Sequence, residues 1–428
     1  MTELAILGGP KTVTVNTQEL WKRPVEEEKK AVCELLDKGA ISGAGKGVFT
    51  AFEDEFREYL GCKYLVATSH GHLALASAFF AAGLGAGDEF IHPAVGYIGS
   101  YAGALHMGAK PIFCEPDPMT LLADPADIEK RITPKTRVIT PIHYAGRVCD
   151  LDSLLALCDK HNLVLVEDAA HAHGSEWDDV KIGNAGHVAC FSLQGVDPGG
   201  KPITSGEGGV LATNDRKIYE RALAYCHLHR SGINDEFTDP TLKKLEYQVL
   251  GWKWRAHPLG LAVARVSLKS LQYRISQYAA NRDAFHEKIK GVPGIEPVHN
   301  YPKASGSELY DGMCFLYDSD ALGGLPVKKF CEALQAEGAS VWAGMFRPPE
   351  HLRSIYTEDM PGLWGEGHAG PANIPLPRYT KGDFPIAEAV NDRTVGMCGW
   401  IEATDGVIDQ FADAIKKVFD QHKKLLET

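Results

Sequence analysis

A lysine set among small residues is the first place where this sequence could do covalent chemistry. Lys201 lies in Phe191-Ser192-Leu-Gln-Gly-Val-Asp-Pro-Gly-Gly-Lys201-Pro-Ile-Thr-Ser-Gly-Glu207-Gly-Gly, between two apolar runs. Any single lysine is by default a solvated surface charge. One bracketed by glycine and proline, and followed by a Gly-Glu-Gly-Gly turn into Val-Leu-Ala-Thr, suits an amine held for Schiff-base chemistry. A second candidate is Val164-Leu-Val-Glu-Asp168-Ala-Ala-His171-Ala-His173-Gly, an apolar strand that ends in an acid and small residues. A carboxylate at such a rim can keep the nitrogen of a bound heteroaromatic ring protonated, which makes that ring an electron sink. His171 is spaced to reach the ring face or its phenolic oxygen. Asp168 also reads as a helix cap. As metal ligands, His171 and His173 stand two apart with no third ligand at a recognised spacing, so no metal is expected.

Two weaker features accompany these. Ser69-His-Gly-His72 falls between a strand and a helix, where free backbone N–H groups and the helix dipole suit a phosphate. Alone, it is equally a glycine turn with polar caps. Pro93-Ala-Val-Gly-Tyr97 puts an aromatic just past a strand, where it could stack on a flat ring or pack as an interfacial residue.

Positioning such groups takes a sheet with helices on both faces. Short apolar strands are expected at Tyr64–Thr68, Glu89–His92, Pro111–Cys114, Val138–Pro141, Val164–Glu167, His187–Ser192 and Gly209–Thr213, with helical runs such as His72–Ala82 and Leu151–His161 between them. That alternation implies an α/β fold with a mostly parallel central sheet, whose ligands bind at the carboxyl ends of the strands. Upstream, Pro24 and three glutamates open a helix that Gly39 closes, and Ile41-Ser-Gly-Ala-Gly-Lys-Gly-Val48 forms a glycine-rich loop before a helix carrying Phe52, Phe56 and Tyr59. Beyond Asp215 helices dominate: Arg216–Leu228, Leu259 to about Ile289, Pro326–Ala336, Ile386–Thr394 and Val407–Leu425, with a strand at Met313–Tyr317. The division expected is an N-terminal arm and large domain over 1–255, then a long linking helix and smaller C-terminal α/β domain over 256–428.

Composition narrows the partners. The chain has 428 residues, 44% hydrophobic and 23% charged, with a net charge of −12 that disfavours nucleic acid or an anionic membrane. Its ten cysteines form no CxxC pair and read as reduced thiols, mostly small core residues. No secretion signal and no bilayer-length apolar run is evident. A cytoplasmic protein is expected.

The order GxxAL, strand–Pro–aromatic, EDAAHAHG and K-x-x-T-S-G-E-G-G resembles the DegT/StrS-type aminotransferases of keto-sugars and keto-cyclitols, which include the aminohydroxybenzoate synthases. The likeness runs from Gly8-Gly9-Pro10 to about Arg255 and continues more faintly. It implies the fold type I architecture of pyridoxal 5′-phosphate (PLP) enzymes and a homodimer with shared active sites. It assigns Lys201 to the Schiff base with PLP, Asp168 to the pyridine nitrogen, His171 to a place beside the ring and Tyr97 to stacking. Gly71, His72 and Ser192 would bind the phosphate; Gly45 and Lys46 of the glycine loop, and Glu207, would lie near the substrate. Gly251-Trp-Lys253-Trp-Arg255 matches the element that contacts the phosphate of the other subunit.

Three positions depart from the family pattern. His72 replaces a threonine, Lys253 replaces an asparagine, and the Ser192–Lys201 spacing is longer. The function implied is ping-pong transfer of an amino group from glutamine or glutamate to a keto-sugar or keto-cyclitol. LAILGGPK and KPITSGEGG point to the inosose and aminohydroxybenzoate branch. The departures leave open another PLP reaction (dehydration, elimination or racemisation) or a PLP-binding regulator, although family dehydratases carry histidine where Lys201 stands.

Overall fold

The computed structural model describes residues 2–42, 45–245, 251–306, 308–310, 312–358, 368–369 and 374–427. Two helices, α1 (Val25–Asp37) and α2 (Val48–Leu60), precede a seven-stranded sheet. Its strands are β1 (Tyr64–Thr68), β2 (Glu89–Pro93), β3 (Lys110–Cys114), β4 (Thr136–Ile139), β5 (Val164–Asp168), β6 (Val188–Ser192) and β7 (Gly209–Thr213), in the spatial order β1-β7-β6-β5-β4-β2-β3. The pairs β6·β5, β5·β4, β4·β2 and β2·β3 are parallel, while β7 runs antiparallel to both β1 and β6. Because successive strand residues face opposite sides, the sheet has a core on each face. Val66, Phe90, Val138 and Val166 enter one; Leu65, Ile91, Ile139 and Leu165 enter the other. Each such side chain contributes roughly 1.5–3 kcal/mol when fully buried.

Helices α3 (Gly71–Ala81), α4 (Leu151–His161) and α5 (Arg216–Cys226) cover the sheet. Local chemistry sets their ends. Asp150 accepts the Ser153 N–H at 3.1 Å before α4, and Asn162 closes that helix in the left-handed region at φ 54°. Asp215 accepts from the amides of Lys217 and Ile218 before α5.

The 32-residue α6 (Pro258–Ile289), with Pro258 in its first turn, leads to a second sheet. That sheet is antiparallel, in the order β8 (Ile295–Pro297), β9 (Phe315–Tyr317), β11 (Thr394–Met397), β10 (Val341–Ala343). Its core includes Phe330 from α7 (Val327–Ala336) and Phe411 from α8 (Val407–Asp420), together with Leu4, Val13 and Trp21 from the chain start. Glu337 fastens that start by accepting from the amides of Ala5 and Thr12, at 2.8 and 3.0 Å.

Two expected helices are corrected. The run Ile386–Thr394 is a short helix, Pro385–Ala389, then a single 3-10 stretch, Val390–Arg393, and Thr394 begins β11. Thr394, Val395 and Met397 are all buried between two neighbouring strands, and that packing overrides local preference. The helix expected over Val407–Leu425 breaks at Gln421. Among the described residues, no helix is long and apolar enough to cross a membrane.

Candidate active site

The carboxyl ends of the parallel strands open onto a pocket of about 640 Å3. Since β7 runs opposite to β6, the connection between them turns back at this same edge, and it carries Lys201. The loop is pinned as a ladder: the Lys201 amide donates to Gln194 O at 3.0 Å, and Gly195 and Gly206 exchange backbone bonds at 2.9 and 3.1 Å. A Cβ on Gly200 would sit 2.6 Å from the Val196 nitrogen, so the neighbour of Lys201 must be glycine. Lys201 is buried, and its Nζ lies 2.7 Å from His171 Nε2.

Strand β5 delivers Asp168 to the pocket wall. Its Oδ2 accepts the Ser100 hydroxyl at 2.5 Å and its Oδ1 accepts the Ala170 N–H at 3.0 Å. Burial raises the Asp168 pKa, against the pull of those hydrogen bonds and of Lys201. His171, three residues on, is driven well below its ordinary value, first by burial and then by the Lys201 charge. The Ala145 N–H donates to its Nδ1 at 3.1 Å. His173 points the other way, packs between Phe56 and Phe191, and is lowered by burial to about 3.

The end of β1 and the start of α3 supply another wall. Gly71 begins α3 so close to Ser192 that a Cβ would come within 2.9 Å of the Ser192 Cβ, and both residues line the pocket with His72. Tyr97, 51% exposed, also lines the pocket, as does Glu207, whose carboxylate lies 3.5 Å from His70 Nε2.

The pocket therefore gathers Lys201, Asp168, His171, Gly71, His72, Ser192, Tyr97 and Glu207 in one chain. Three expected residues stand outside it. Gly45 is buried against Arg230, Lys46 is exposed, and Lys253 is exposed with its backbone bridged to His227. Gly43 and Ala44 of the same glycine loop lie outside the described residues.

Three pocket residues had no signal in the sequence. Ser100 holds Asp168. Tyr310 places its ring 3.8 Å from Lys201 Nζ and 4.3 Å from the His171 ring. Arg347 approaches the Tyr97 ring at 5.5 Å. Tyr310 and Arg347 come from segments far along the chain with no periodicity, and Ser100 is one hydroxyl at the end of a three-residue 3-10 turn, Ile98–Ser100.

The DegT/DnrJ/EryC1/StrS aminotransferase family model matches residues 23–364. A putative L-glutamine:3-amino-2,3-dideoxy-scyllo-inosose aminotransferase of Streptoalloteichus tenebrarius is 31% identical, over 97% of this chain and 98% of the relative. The L-glutamine:2-deoxy-scyllo-inosose aminotransferase of Micromonospora echinospora is 30% identical, over 99% of this chain and 100% of its own length. Among solved structures, an aminotransferase from Psychrobacter cryohalolentis superposes with a TM-score of 0.80 at 24% identity, covering 95% of this chain and 99% of that one. With pocket, fold and family model in agreement, the chain belongs to the DegT/DnrJ/EryC1/StrS aminotransferase family.

Proposed function

We propose that this aminotransferase holds PLP on Lys201 and moves an amino group from glutamine to the ketone of a cyclitol. The observation that carries the reading is the 2.7 Å contact between Lys201 Nζ and His171 Nε2 in a pocket walled by buried Asp168. The residues fit the cofactor. Asp168 is a buried carboxylate hydrogen-bonded to a hydroxyl and an amide, so a protonated ring nitrogen would supply a directly bonded counter-charge. The open N-terminus of α3 at Gly71, with Ser192 beside it, suits a phosphate. Tyr97 offers a ring face for stacking. When bound, PLP supplies the electron sink that loosens bonds at the donor's Cα.

Hydrogen bonding prepares the amine. The Ala145 N–H can only donate, so His171 Nδ1 is the acceptor. A neutral His171 then carries its proton on Nε2 and presents it to Lys201 Nζ. An amine held in this way would be placed to attack a carbonyl once it gives up its proton. The same amine would serve as the group that moves a proton at the bound substrate. Asp168 would hold the pyridine nitrogen of PLP protonated. His171, held neutral by burial, orients the lysine.

Glutamine and an inosose-type ketone are the donor and acceptor in the names of the relatives. For the sites to be complete, two copies of the chain would pair, each lending Lys253 and the loop of Gly45 and Lys46 to the other. The test is a half-reaction: PLP-loaded protein is mixed with glutamine and its cofactor is released and weighed. One equivalent of pyridoxamine phosphate per chain supports the reading. PLP recovered unchanged alongside altered substrate would mean elimination or racemisation, and PLP recovered with no change in glutamine would mean a binding scaffold.

A further inference from the structure

The stretch that lengthens the Ser192–Lys201 connection, Val196-Asp197-Pro198-Gly199-Gly200, is tied to helix α6 by a buried cluster. Long loops are free to move unless something holds them. Asp197 is 1% exposed in its side chain and Arg274 is 2% exposed. Asp197 Oδ1 accepts from Arg274 Nη1 at 3.0 Å, and its Oδ2 accepts the Ser267 hydroxyl at 2.8 Å. Arg274 Nη2 donates to Pro202 O at 2.6 Å and to Ser267 O at 3.0 Å. The Thr204 N–H donates to Ser267 Oγ at 3.2 Å. One guanidinium therefore grips the chain just before Lys201, at Asp197, and just after it, at Pro202. The other face of Arg274 lies over the Trp21 indole at 5.3 Å, and its Nε donates to Ser270 at 3.1 Å.

Such a pair is a poor device for stability. Burial pushes the Asp197 acid up and the Arg274 guanidinium down, each against the attraction of its partner. Buried ion pairs of this kind often contribute no more than apolar residues of the same size. What the pair does supply is direction, because the planar fork of an arginine fixes both partners in angle as well as distance.

We propose that Arg274 is a positioning residue for Lys201, holding both flanks of the lysine to helix α6 so that the amine meets His171. The proposal rests on Lys201 being the residue that bonds PLP. It also couples the reactive loop to the helix that leads to the second sheet, so a shift of α6 would be felt at the amine.

The experiment measures how fast borohydride fixes PLP on Lys201 in apo-protein given saturating PLP, read by peptide mass. Three variants are compared with the wild type: Arg274→Gln, the isosteric Asp197→Asn, and Lys417→Met. The last breaks a different buried pair, Lys417–Glu337 at 2.8 Å, in the second core. All are assayed at a temperature where near-UV circular dichroism reports a folded core. A reacting group displaced by about 1 Å costs about 100-fold, so Arg274→Gln and Asp197→Asn should fix PLP about 10- to 100-fold more slowly, while Lys417→Met keeps the wild-type rate. Equal rates in all four proteins, or an equal loss in Lys417→Met, would overturn the proposal. If Arg274→Gln does not fold, Asp197→Asn decides by the same criterion. A wild-type protein that takes no label on Lys201 would instead refute the cofactor reading beneath it.

Discussion

The strand-end pocket and the two segments outside it are built on different plans. Asp168 and Ser192 close adjacent parallel strands, Gly71 opens the helix after β1, and Tyr97 follows β2, so backbone pairing sets their spacing within one chain. Gly45–Lys46 and Trp252–Lys253 belong to surface segments. Lys46 and Lys253 are exposed, and Trp252, 52% exposed, stacks on Trp254 at 5.5 Å. Both segments nevertheless rest on the same buried pair, Glu53–Arg230 at 2.7 Å. Gly45 packs against the Arg230 side chain, and Arg230 Nη1 contacts His227, whose backbone bridges to Lys253. A rigid base under exposed cations and an exposed indole suits a surface made to meet another molecule. The pocket is proposed to supply the chemistry of one chain, and these segments to complete the site of a second.

Four substitutions test that division, beginning with the largest expected effect. Lys201→Ala should keep the far-UV circular dichroism of the wild type and lower turnover by more than the about 10²–10⁴-fold that a placed proton carrier contributes. Activity within tenfold of wild type would move the chemistry to another lysine.

Asp168→Asn should lose most of its turnover yet cost the apo-protein no stability at neutral pH. Here the sign follows from burial, which raises the folded-state pKa of Asp168. Between the unfolded and the folded pKa the native state binds more protons, so stability falls as pH rises through that window. Removing the charge removes the penalty. The melting temperature of the apo variant should equal or exceed that of the wild type near pH 7; a marked drop would make Asp168 a structural residue instead.

The division is sharpened by mixing two impaired proteins, Lys201→Ala and Lys253→Glu, under conditions of subunit exchange. In a twofold dimer with shared sites, one site collects both lesions and the other neither, so up to about half of wild-type activity should return per mixed dimer. No recovery despite proven exchange would confine each site to its own chain.

Lys253→Ala should have the mildest effect. A charge-assisted hydrogen bond contributes roughly 1.5–3 kcal/mol, so PLP retention should weaken by about 10- to 150-fold while turnover at saturating PLP persists. Unchanged retention would leave Lys253 as an ordinary surface cation.

Much of this plan was legible in the sequence because it rests on local patterns. The alternation of apolar runs with amphipathic ones located all seven strands of the first sheet to within two residues, and the amphipathic run Leu151–His161 was read to the residue. Asp168, His171 and Lys201 were identifiable because each sits where an apolar strand gives way to small residues. Other features depended on tertiary partners. The reversed direction of β7 leaves no mark on its own residues. β11 was not foreseen, and the helix expected to end at Thr394 overran its first residue, because Thr394–Met397 is short and becomes a strand only between two neighbours. Ser100, Tyr310 and Arg347 reach the pocket from short or irregular segments whose composition carries no period. Arg274 looked like one more charge on a long helix, and only its contacts with Asp197 and Pro202 reveal that it faces inward.

The identity of the reactive lysine is tested most directly by reducing the PLP-loaded protein with borohydride, digesting it and sequencing the labelled peptide. The expected result is a single label on Lys201, at close to one per chain. A label on Lys253 or Lys181, or none at all, would contradict it.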